Sequence, residues 1–129
     1  MKSNLHLAFK TNTDLEKNGV WFDLGDCRFL LKRFGGANRD LSKVMAKVFK
    51  PVAHLVEKDL LPDEVDSKLT AKAFVEACLV DWEGVEIDGE EVPFSKEKAI
   101  ELMVELPDLM QTLLECSKNV ENYRETLGN

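Results

Sequence analysis

The chain has 129 residues, 44% of them hydrophobic and 32% charged, with a formal net charge of −7. That length suits one domain, residues 1–129, able to bury a core without staples. The apolar content excludes a disordered chain, and the acidic balance argues against nucleic acid as a partner.

No apolar run approaches the roughly 20 residues of a membrane span, so no membrane partner is expected. Residues 1–6 lack the apolar stretch and cleavage site of a signal peptide, which makes a cytosolic location the expectation. Charge is unevenly divided: residues 1–61 hold 11 Lys and Arg against 7 Asp and Glu, whereas residues 62–129 hold 6 against 17. Polarity of this kind steers partners or favours self-association.

Residues 1–19 are polar and mixed, with Thr11-Asn12-Thr13-Asp14 reading as turn or helix-cap chemistry. Two β-prone runs follow, Val20–Leu24 and Cys27–Lys32, separated by Gly25-Asp26, which suits a type II′ hairpin turn. A two-residue turn pairs Leu24 with Cys27, Phe22 with Phe29 and Val20 with Leu31, putting six apolar side chains on one face. The other face then pairs Asp23 with Arg28 and Trp21 with Leu30. A slip of one residue destroys both patterns.

Gly35-Gly36-Ala37-Asn38 ends the strand. Apolar residues then recur at helical spacing from Leu41 to Leu60, interrupted by Pro51, which should kink or split the helix. A further helix is expected from Pro62, with acids in its first turn. Its buried stripe would be Val65, Leu69, Ala73, Phe74, Ala77 and Val80, and Gly84 would end it. Residues 85–92 read as a small second hairpin around Asp88-Gly89. Ser95 is a good N-cap for a helical period through Ala99, Leu102, Met103 and Leu106. The period resumes after Pro107 at Met110, Leu113, Leu114, Val120, Tyr123 and Leu127. The expected fold is α+β and mostly helical: an N-terminal β-hairpin, four to five helices and a small second β-hairpin.

Catalytic and metal motifs are weak. Cys27, Cys78 and Cys116 are odd in number, widely spaced and set among apolar residues, as small buried hydrophobes are. His6 and His54 have no partner at ligand or triad spacing. The acidic segment 81–91 fails as an EF-hand, because a Gly at position six puts Gly84 or Leu79 at position one. Gly35-Gly36 lacks the rest of a phosphate-binding motif. No enzyme, metal or cofactor is expected.

Adhesive surface is the better reading. Arg39, Lys43, Lys47, Lys50 and His54 form a basic stripe opposite the core face of the first helical run, and Glu97, Glu101, Glu105 and Asp108 an acidic one after Ser95. Complementary stripes on one chain permit head-to-tail assembly, although solvated faces are the simpler account of them. Trp21 and Leu30, beside Arg28 and Lys32, have the composition of an interaction hot spot, unless a helix covers them.

Asn18–Phe22, Phe29–Asn38 and Lys50-Pro51, followed by Val80–Val85, Asp88-Gly89, Val92–Ser95 and Leu106–Leu109, resemble in order, and in overall length, the tail assembly chaperones of long-tailed, siphovirus-type bacteriophages. The resemblance spans most of residues 18–127. It implies a homo-oligomeric protein of the infected host's cytoplasm, absent from the mature virion. Such a protein keeps the tape measure protein soluble and helps the tail tube protein polymerise around it. Members are often also made in a longer form by a ribosomal frameshift. The family supplies no catalytic residues and no transferable partner-binding motif. A structural tail component retained in the virion and a small non-enzymatic adaptor remain the alternatives.

Overall fold

A computed structural model of the chain describes residues 1–124. Two short helices lead, α1 (Leu5–Phe9) and α2 (Thr13–Asn18), then strands β1 (Val20–Leu24) and β2 (Cys27–Leu31). Asn12 caps α2, its Oδ1 accepting from the N–H groups of Asp14 and Leu15, the chemistry expected of Thr11–Asp14. The β1–β2 register is the expected one throughout, from Val20 opposite Leu31 to Leu24 opposite Cys27. Gly25 has φ 66° while Asp26 stays out of the left-handed region, as a type II′ turn requires.

Helix α3 (Asp40–Phe49) runs up to Pro51, where a 3₁₀ turn (Lys50–Val52) and the short α4 (Ala53–Glu57) take over. Pro51 thus splits the helical run as expected. Helix α5 (Asp63–Ala77) is the longest and the centre of the packing, with α3 on one side and α6 (Lys96–Glu105) on another. The C-terminal half of α5 is enclosed, so Ala71 and Val75 are buried as well as Ala73, Phe74 and Ala77, whereas Val65 in its first turns is exposed.

The helix does not continue to Gly84. It stops at Ala77, and Leu79–Glu83 form β3, a third strand antiparallel to β2. Tertiary pairing overrides the helical period here. Leu79 lies opposite Leu31 and Trp82 opposite Phe29, all four are buried, and the Phe29 and Trp82 rings meet edge-on at 6.1 Å. Gly84 ends the strand instead. At φ 74° it passes so close to Asp26 that a Cβ would lie 2.5 Å from the Asp26 carbonyl.

The second hairpin forms as expected, β4 (Glu86–Ile87) against β5 (Glu90–Glu91). Asp88 at φ 52° and Gly89 at φ 86° make a type I′ turn. Ser95 caps α6 through its Oγ, and Pro107 opens α7 (Pro107–Lys118) from the N1 position. The helical period expected to reach Tyr123 breaks at Asn119. That residue is extended, and its side chain caps a 3₁₀ turn, Val120–Tyr123. Tyr123 is buried nonetheless, its hydroxyl donating to the Leu31 carbonyl at 2.8 Å. Leu127 lies outside the described residues. The architecture is α+β, with four helices of ten or more residues, among the described residues, around a three-stranded sheet ordered β1-β2-β3.

Candidate protein-binding surfaces

On the sheet face away from the core, Trp21 lies opposite Leu30. The Arg28 guanidinium stacks 4.1 Å above the centre of the Trp21 indole, and its Nε donates to Glu83 Oε2 at 2.7 Å. This hydrogen bond and charge pairing hold the Glu83 carboxyl below its usual range and raise Arg28 above its own. Trp21, Arg28 and Leu30 are all half-exposed, so the expected patch exists, with its cation already engaged within the chain. Lys32 does not join them. It follows the strand and, with Lys96, lines a small hollow of about 160 Å³ at the C-terminal end of α5. There Lys96 Nζ donates to the carbonyls of Val75, Leu79 and Glu76 at 3.0 to 3.4 Å. Burial, with Lys32 nearby, lowers its pKa.

The charged stripes are on the surface where expected. Arg39, Lys43, Lys47 and Lys50 are exposed along α3 and its 3₁₀ extension, and Glu97, Glu101 and Glu105 along α6. Glu101 meets Lys98 at 3.5 Å. Since α3 and α6 each pack along α5, the two lines of charge are not brought together within one chain.

A third surface escapes sequence reasoning. The first turns of α5 form a ridge, Asp63 to Thr70, with a groove on each side. One, of about 520 Å³, lies between α5, the end of α6 and the start of α7, floored by Met103, Val104, Met110 and Leu114. The other, of about 600 Å³, lies between α5 and α3–α4, lined by Met45, Phe49, Val56 and Leu61. Asp63 and Asp66 face both grooves; Glu64 joins them in the first and Asp59 in the second. Val56, Leu60, Val65, Val104 and Leu106 stand exposed in these segments. Prolines bound the helices that frame this relief: α3 gives way to a 3₁₀ turn at Pro51, Pro62 precedes α5, and Pro107 opens α7. A partial signal was present, because Leu61 and Val104 lie off the expected stripes, whereas Leu60, counted on one, is exposed.

The remaining polar side chains inside the protein serve the fold. Glu16, 1% exposed, accepts from Arg33 Nη1 and from Thr11 Oγ1, both at 2.7 Å. Ser117 Oγ donates to the Lys32 carbonyl at 2.7 Å, and Asn38 Nδ2 donates to the Arg33 and Ala77 carbonyls at 2.9 Å. Burial pushes the Cys78 thiol up to about 12 and raises Tyr123 as well. Among the described residues no group of three His, Cys, Asp or Glu is placed to hold a metal ion, and no helix is long and apolar enough to cross a membrane.

No curated protein and no solved structure matches the chain. The model of the YdaY prophage protein family matches residues 36–127, which takes in every element from α3 to the last 3₁₀ turn. By that match over well more than half its length, the chain belongs to the YdaY prophage protein family and is of phage origin.

Proposed function

We propose that this prophage protein is a tail assembly chaperone. It binds the tape measure protein, keeps it soluble in the host cytoplasm, and releases it as the tail tube protein polymerises around it. It does so as a homo-oligomer, without catalysis or a cofactor, and is absent from the finished virion. The observation that carries this reading is the pair of apolar, acid-rimmed grooves flanking the first turns of α5. A long helical client presents an apolar stripe that must be covered before assembly. An amphipathic helix laid in a groove is a common way to cover one.

Methionine suits such a task, because its flexible thioether repacks around varied side chains; Met45, Met103 and Met110 line the grooves. Each large apolar side chain a client buries contributes roughly 1.5–3 kcal/mol. Several weak contacts multiplied over copies of the chaperone give avidity while each contact stays reversible. The family's phage origin and the ordered resemblance to tail chaperones support the same reading.

Co-expression with the tape measure gene of the same prophage tests it. The client should become soluble and co-purify, and Val104→Asp with Val56→Asp should abolish both effects. Unchanged client solubility with no co-purification refutes the assignment. Mass spectrometry of purified tails should lack this chain, and its presence there would make it a structural component.

A further inference from the structure

The N-terminal segment is the least explained part of the fold. Leu5, Leu7 and Phe9 are 66%, 60% and 65% exposed, and α1, which carries them, buries none of its residues. Burial of such side chains is favourable in proportion to the apolar area removed from water, so a surface that covers all three will be sought. Five residues are far fewer than the roughly 12–15 an isolated helix needs to persist in water. The segment can therefore reshape to fit a partner. Its charge is one-sided: Lys2 and Lys10 precede the first carboxylate of the chain, Asp14.

The root of this arm is fixed. Thr11 bridges to Arg124, the Asn12 N–H donates to the Tyr123 carbonyl at 2.7 Å, and Glu16 is clamped by Arg33. None of residues 1–10 lines either groove beside α5. The groove between α5, α6 and α7 has the complementary character: an apolar floor that includes the exposed Val104, and Asp63, Glu64 and Asp66 against the single cation Lys68.

We infer that residues 1–10 of one copy dock in the α5–α6–α7 groove of a second copy. Leu5, Leu7 and Phe9 cover its apolar floor, and Lys2 faces its acids. The two surfaces differ, so the contact is heterologous, and it propagates into a ring or a filament. The contact stands whether or not a client also uses the groove.

Light scattering and sedimentation of the full chain over a concentration series test this. The wild type should rise above the monomer mass of 14.6 kDa as concentration increases. Leu5→Asp with Phe9→Asp should remain monomeric, and so should Val104→Asp. An equimolar mixture of these two variants should form a dimer and stop there, because it holds one intact arm and one intact groove. Should Val104→Asp unfold by circular dichroism, the exposed pair Asp63→Lys with Asp66→Lys replaces it, with the same expected results. A wild type monomeric at all concentrations, an arm variant that assembles like the wild type, or a mixture that stays monomeric would each overturn the inference.

Discussion

Replacing Glu16 tests how much of the fold depends on a buried ion pair in a stretch that otherwise looks like surface. Its side chain is 2% exposed and that of Arg33 18%, and two bonds of 2.7 Å converge on the carboxylate. Removing it leaves a guanidinium whose Nε already has no partner and whose Nη2 reaches only the Lys118 carbonyl at 3.4 Å. Breaking one side of a buried pair typically costs about 3–5 kcal/mol. Water can still reach part of Arg33, so Glu16→Ala is expected to cost about 2–4 kcal/mol. With a urea m-value of about 1–3 kcal/mol/M, the unfolding midpoint should fall by about 1–2 M. The variant Arg33→Met should cost less with Glu16→Met present than alone, with a coupling of at least ~1 kcal/mol. A loss under ~0.5 kcal/mol for Glu16→Ala, or strict additivity in the cycle, would refute this account of the pair.

Gly36→Ala should behave like a second disruption of that pair. Gly36 has φ 54°, and a Cβ there would lie 1.8 Å from Glu16 Oε2. A loss of at least ~2 kcal/mol in the same urea assay is expected, against about 1 kcal/mol for Gly25→Ala, where only the backbone conformation objects. Cys78, raised to about 12 by burial, should hold roughly one thiolate in ten thousand at pH 8. It should resist a thiol reagent in the native protein and react once guanidinium unfolds the chain. The Glu83 carboxyl lies below its usual range because Arg28 donates to it. Its contribution to stability is therefore complete above the ordinary carboxyl pKa and lost as pH falls through the lowered one. An NMR titration should locate that lowered midpoint, and Arg28→Gln should return it to the ordinary range.

The two hairpins were legible because each is closed by its own turn. Alternation on either side of Gly25-Asp26 leaves one register in which six apolar residues share a face, and Asp88-Gly89 acts the same way over a shorter span. Strand β3 was not legible. Val80 continues the spacing of Ala73 and Ala77, no glycine or proline separates Ala77 from Trp82, and what makes the segment extended is β2, some fifty positions earlier. Glu16 looked like one more charge in a polar leader, since its partner Arg33 follows a strand on a different element. The charged stripes were readable from spacing alone. The grooves were not, because they exist where helices fail to meet, and a periodicity shows which residues face inward rather than where packing stops.

The bond from Tyr123 to the Leu31 carbonyl also governs how the protein can be made. Strand β2 acquires its second neighbour only when β3 has been synthesised, and its tie to Tyr123 later still, so its long-range contacts form late in translation. High contact order slows folding. Until Tyr123 emerges, the Leu31 carbonyl lacks its side-chain partner, and translation speed over the α6 and α7 codons sets how long that wait lasts.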